Sequence, residues 1–141
     1  MMLAAQLKLM TRSWTSSALP WKTRSKWVGY SSACYAALAH MHWIYVVQAV
    51  VAYLSDYVYA GRPHVTHGID RWLSTALTLH MALYMSRRVG CHAVLGVIPV
   101  GFLYADMRAV RRRDWEGYVL HHTLWHISGP CVVLICDAVA Q

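Results

Sequence analysis

Charge is what this sequence lacks most. Asp, Glu, Lys and Arg make up only 13% of its 141 residues, against about 25% in soluble domains. From Trp27 to Ser55 there is none in 29 positions. That excludes an ordinary solvated surface for the segment. It is also long enough for one crossing of a hydrocarbon core, which takes about 20 residues of helix. Acid is scarcer still, since nothing before Asp56 is Asp or Glu. Lys8, Arg12, Lys22, Arg24 and Lys26 precede it among Ser and Thr. This is the composition of a mitochondrial or plastid import sequence, and equally of an interfacial basic tail. There is no CxxC pair. Cys34, Cys91, Cys131 and Cys136 lie in or beside apolar runs and read as small buried hydrophobes, not as disulfides or metal ligands. Internal repeats and low-complexity tracts are absent, and the length leaves no room for a soluble catalytic module beside the apolar part.

What is present is apolar and basic. Hydrophobic residues make up 57% of the chain, and its net charge is +7. The bases cluster at the ends of apolar runs, at Lys22/Arg24/Lys26, Arg87/Arg88 and Arg111/Arg112/Arg113. That placement suits lipid headgroups. No basic stripe runs along a polar face, so nucleic acid is not expected as a partner. The pattern predicts an all-α fold, a small multi-pass membrane helical bundle of about four transmembrane helices. A basic amphipathic lead occupies residues 1–26 and the transmembrane helical domain residues 27–141.

Spans are expected near 27–55, 69–86, 91–105 and 117–136, with turns at 56–68, 86–90 and 106–116. Pro99 is expected to kink the third span and Pro130 to bend the fourth. The 13 Lys and Arg split seven to six between the two sides, so the positive-inside rule gives no orientation. Small residues at Ser31, Ser32, Ala33, Ala36, Ala37 and Ala39, and at Gly117, Ser128 and Gly129, offer faces for another chain.

Polar residues within spans are costly and point to function. Alternating the spans across a bilayer brings Ser55, Asp56, His67, Asp70, His121, His122 and His126 to one end of the bundle. His122 and His126 are spaced i,i+4, which puts both imidazoles on one helical face, as a single metal ion requires. His80 could ligate haem, and the Gly61-Arg62-Pro63-His64 run loosely suits a haem- or quinone-anchoring loop.

Three segments, taken in order, carry a resemblance. Ser55-Asp56-Tyr57-Val58-Tyr59 ends one span, Asp70 follows eleven residues after Tyr59, and His122-Thr123-Leu124-Trp125-His126 lies in the last apolar helix. Over roughly residues 50–130 this resembles the CREST superfamily of membrane hydrolases, which includes alkaline ceramidases, adiponectin-type receptors and GPI-anchor-remodelling lipid hydrolases. The resemblance implies a zinc-dependent amide or ester hydrolase. His122, His126 and a third ligand, for which His67 is the candidate, would hold the metal, Asp70 would take a proton from water, and Ser55 would steady an oxyanion. The chain departs from the pattern at Tyr59, where the family has a histidine, and in having about four helices where the family has about seven.

These departures give the leading expectation: a non-catalytic accessory subunit of a larger membrane complex, most suitably of the mitochondrial inner membrane. It would be a pseudoenzyme on a degenerate CREST-like bundle, with no cofactor and no tightly bound zinc. Its partners would be other membrane subunits and lipids, and the endomembrane system is the alternative location. An active zinc-dependent lipid hydrolase is the second reading, and a haem or quinone anchor the third.

Overall fold

A computed structural model describes residues 10–89 and 94–140, together with 4, 7 and 8. Every regular element among them is helical. Gly90 and Cys91, expected at the second turn and the start of the third span, lie outside the described residues.

The charge-free stretch is not one helix. It divides into α1 (Lys26–Ser31), a 3₁₀ segment (Ser32–Leu38), α2 (Ile44–Tyr53) and a single π-helical turn (Leu54–Val58). Side chains that compete for backbone partners account for the breaks. Ser31 Oγ donates to Val28 O at 2.9 Å, and Ser32 Oγ to Gly29 O at 2.7 Å. His40 Nδ1 donates to Ala37 O at 3.1 Å, and His42 Nδ1 accepts from Ile44 N at 3.2 Å, just ahead of α2. The expectation of a continuous 27–55 span is therefore corrected to two helical pieces around a turn.

The second expected span is α3 (Thr66–Val89), a helix that also takes up residues assigned to the preceding loop. Helix α4 (Val97–Arg112) runs through most of the expected 106–116 loop, which shrinks to Arg113 and Asp114. Arginine is a good helix former, and bases suit the negative end of the helix dipole, so Arg108, Arg111 and Arg112 extend α4 instead of ending it. Pro99 stands in its first turn, where no backbone N–H is needed, so the position does not call for a kink. Arg113 stops the helix in a left-handed conformation (φ 56°).

Asp114 then caps α5 (Trp115–Val139) by accepting from Gly117 N at 2.9 Å. Among the described residues α5 is the one helix long and apolar enough to cross a membrane; Ile44–Val58 is apolar but shorter. Pro130 lies buried within α5.

Helix α5 is the hub, packing against α1, the 3₁₀ segment, α3 and α4. Its inward stripe runs Tyr118, His122, His126, Gly129, Val133, Cys136, at three- and four-residue spacing, and all six are buried. The ends of the stripe are apolar. Val133 and Cys136 pack with Leu38, Tyr45, Leu77, Met81 and Met85, while Tyr118 packs with Val28 and Ala109. The two histidines lie between these clusters. Of the other described cysteines, Cys34 is partly exposed and Cys131 exposed, so only Cys136 fills the buried role expected of them.

Residues 15–21 of the N-terminal lead are built into the bundle. Leu19 and Trp21 pack on the Val28–Tyr118 cluster, and Thr15 O accepts from His64 N at 2.9 Å. Gly61 has φ +65°, and a β-carbon there would collide with the Trp21 carbonyl. Gly61→Ala is therefore expected to destabilise the chain by about 1–3 kcal/mol. The expected result is a clear fall in thermal midpoint with helix content retained in the cold.

Candidate metal centre

Helix α5 supplies the two histidines and the π-helical turn supplies a carboxylate between them. Asp56 Oδ2 is 3.2 Å from His122 Nε2 and 3.9 Å from His126 Nε2. One ligand atom from each of the three residues lies within 4.8 Å of the others. Ligands about 2.0–2.2 Å from a tetrahedral ion stand about 3.3 Å apart, so the three atoms fit the span of one zinc-sized cation.

The outer ring nitrogens are also provided for. His126 Nδ1 shares a hydrogen bond with Ser31 Oγ at 3.1 Å. His122 Nδ1 is 3.3 Å from Asp106 Oδ1, off the line of a good hydrogen bond, and both atoms are buried without another protein partner. This is the arrangement in which a second carboxylate orients a metal-binding imidazole. Tyr35 and Tyr118 flank the histidines, with ring centroids 5.4 Å from His126 and 5.0 Å from His122.

The whole chain has six acidic residues, and three of them, Asp56, Asp70 and Asp106, line one cavity with His122. Arg12, Arg71 and Arg111 line the same cavity and balance these charges; the rest of its wall is largely apolar, with Leu79, Ala82, Val100, Leu103 and Met107, and its volume is about 560 Å³. Asp70 enters from α3 and accepts from Gln48 Nε2 at 2.8 Å through Oδ1.

The sequence-derived residues divide. Ser55, His67, Asp70 and His122 do line the same cavity, and His126 meets it through Asp56. His67, however, has both ring nitrogens engaged, Nδ1 with Ser55 Oγ at 2.9 Å and Nε2 with Arg62 O at 2.7 Å. The third donor atom near those of His122 and His126 is Asp56 Oδ2. Ser55 points its hydroxyl at His67. Tyr59 is stacked on His64, ring centroids 3.5 Å apart. His80, the haem candidate, shares a hydrogen bond with Tyr45 Oη at 2.8 Å.

From the sequence Asp56 was placed at this end of the bundle but given no role, and Asp106 beside His122 Nδ1 and Gln48 as the support of Asp70 were missed. The signal for Asp56 and Asp106 was the scarcity of acid: a carboxylate placed within or beside an apolar run needs a partner. Asp106→Asn is expected to weaken metal binding about 10–100-fold, measured by competition with a chromogenic chelator. No protein family, curated protein or solved structure matches the chain.

Proposed function

We propose that this chain is a membrane-embedded hydrolase of lipid esters or amides that uses one divalent ion, zinc by its donor set, held by Asp56, His122 and His126. The observation that carries this reading is the close approach of Asp56 Oδ2 to the two Nε2 atoms, beside an apolar cavity of about 560 Å³. Ligand pockets commonly measure about 300–1,000 Å³. When bound, such an ion supplies Lewis acidity, polarising a carbonyl and acidifying water. Asp106 and Ser31 orient the two imidazoles. Asp70, whose Oδ1 accepts from Gln48 Nε2, lines the same cavity. The apolar walls hold an acyl chain and exclude bulk water.

A four-pass bundle is part of the same proposal. Trp27, Tyr30, Trp43, Leu79, Leu120 and Ile135 are all more than half exposed, which suits contact with lipid and its interface. Among membranes, the acid-free basic lead favours the mitochondrial inner membrane by composition, with the endomembrane system as alternative.

A second reading, the accessory subunit, draws on a different observation. Ala33, Ala37 and Ala39 are exposed on and just beyond the 3₁₀ segment, as small residues at a helix–helix contact are.

Elemental analysis and an acyl-lipid hydrolysis assay on the purified chain test the proposal. One zinc per chain is expected, with hydrolysis lost on chelation and restored by zinc. Metal-free protein that takes up no zinc, and that co-migrates with other membrane proteins on a native gel, would favour the subunit.

A further inference from the structure

The Ser55–His67 contact is not needed to hold the metal ligands, and its direction is fixed by a third group. His67 Nε2 lies 2.7 Å from the Arg62 carbonyl oxygen. A carbonyl can only accept, so Nε2 carries the proton. In the neutral ring Nδ1 is then an acceptor, and the group 2.9 Å from it is the Ser55 hydroxyl. Ser55 Oγ–H therefore donates to His67 Nδ1. A hydroxyl committed this way does not donate to an oxyanion, the role the family resemblance implies for it. It is instead set up as a serine beside its base, with the base oriented by a third group, here a backbone carbonyl.

Local structure supports this geometry. Ser55 lies in the π-helical turn, a distortion that recurs at functional sites. His67 stands in the first turn of α3. Each is 3% exposed, and both face the cavity that Asp70 and His122 line.

We propose that Ser55 and His67 are a nucleophile–base pair, and that the cavity passes the acyl group of an ester or amide lipid through Ser55. The inference rests on the reading that this cavity holds an acyl lipid. Ser55 Oγ bonds to the acyl carbonyl carbon while its proton moves to His67 Nδ1. The tetrahedral adduct collapses, the bond to the alcohol or amine breaks, and the leaving group takes that proton. Water then attacks the acyl-serine, giving its proton to Nδ1. The carboxylic acid departs and the proton returns to Ser55 Oγ. Nothing is oxidised or reduced.

The test is covalent capture by a long-chain alkyl fluorophosphonate. The full chain in detergent micelles is treated with the probe, and the adduct is located by peptide mass spectrometry. The serine–phosphorus bond forms as fluoride leaves. One adduct per chain is expected on Ser55, none in Ser55→Ala, and labelling at least about 100-fold slower in His67→Gln. Native wild-type chain should label at least about 100-fold faster than the same chain unfolded in detergent, a comparison that stands even if His67→Gln fails to fold. Chelation should leave labelling unchanged. Absence of an adduct on Ser55 in folded wild type, or native and unfolded chain labelling alike, overturns the pair. The metal reading stands or falls separately on zinc content: labelled, zinc-free protein retains the pair and discards the metal centre, and zinc-loaded, unlabelled protein does the reverse.

Discussion

Asp56→Ala is expected to strip the proposed centre of its ion, weakening zinc binding roughly 10²–10³-fold. Protein zinc sites bind with about 10–16 kcal/mol shared over three or four ligands, so one ligand is worth roughly 3–4 kcal/mol. The loss falls on Asp56 because its Oδ2 is the only carboxylate oxygen placed between both Nε2 atoms among the described residues, at 3.2 and 3.9 Å. His122 would still face Asp106 at 3.3 Å, so its ring stays oriented and the change reads on the metal more than on the fold. Chelator-sensitive lipid hydrolysis should fall in parallel.

The informative control is Tyr59→His, which restores the histidine of the family pattern. Tyr59 is stacked on His64, and the proposed centre takes its third ligand from Asp56, so zinc content should not change. Zinc that rises in Tyr59→His and persists in Asp56→Ala would show that the ligand set is His122, His126 and position 59, and that Asp56 is merely their ion-pair partner.

The contrast between Asp56 and Tyr59 also shows how far this sequence could be read. His122 and His126 were legible because α5 is a regular helix, and an i,i+4 spacing places two rings together wherever the helix is regular. The same arithmetic fails at Ser55. In a regular helix residues 55 and 59 share a face, but Tyr59 N donates to Leu54 O at 2.8 Å, an i→i+5 bond. The wider turn shifts the phase of everything after Leu54, and no composition signal announces a π-turn.

The breaks in the charge-free stretch were hidden for a related reason. Hydropathy sees Ser31, Ser32, His40 and His42 as tolerable in a span, but not that their side chains bond to backbone groups and compete with the helix. The end of α4 was misread in the opposite direction. Arg108, Arg111 and Arg112 look like a solvated loop, yet a helix carries them outward while turning Asp106 inward, 6% exposed. Helical class and the convergence of polar residues survive such errors, because they depend on which segments are apolar and not on where each turn falls.

Removing the Arg71 side chain is expected to undo the N-terminal wrap. Arg71, 7% exposed, reaches from α3 to the lead and donates to Ser16 O at 2.7 Å and Ser13 O at 2.8 Å. Its planar fork fits two carbonyls at once. Each charge-assisted bond contributes about 1.5–3 kcal/mol, partly offset by the cost of burying the guanidinium. Arg71→Ala should therefore cost about 2–4 kcal/mol.

The loss should not stay local. Freed from Arg71, residues 13–16 no longer hold Trp14 over Gly68, where a β-carbon would collide with the indole. The irregular segment leading to Leu19 and Trp21, on the Val28–Tyr118 cluster, also loses its anchor. The measurement is limited trypsin digestion of the folded chain, read at Lys22 and Arg24. Wild type should resist cleavage there, Arg71→Ala should be cut several-fold faster, and Arg71→Lys should behave like alanine, because an ammonium cannot span both carbonyls. The result bears on the import reading as well: a lead that is removed after targeting would take with it Leu19, Trp21 and both carbonyls that Arg71 holds. Wild-type protein that loses residues 1–22 and keeps its thermal midpoint would show that this wrap contributes nothing to the fold.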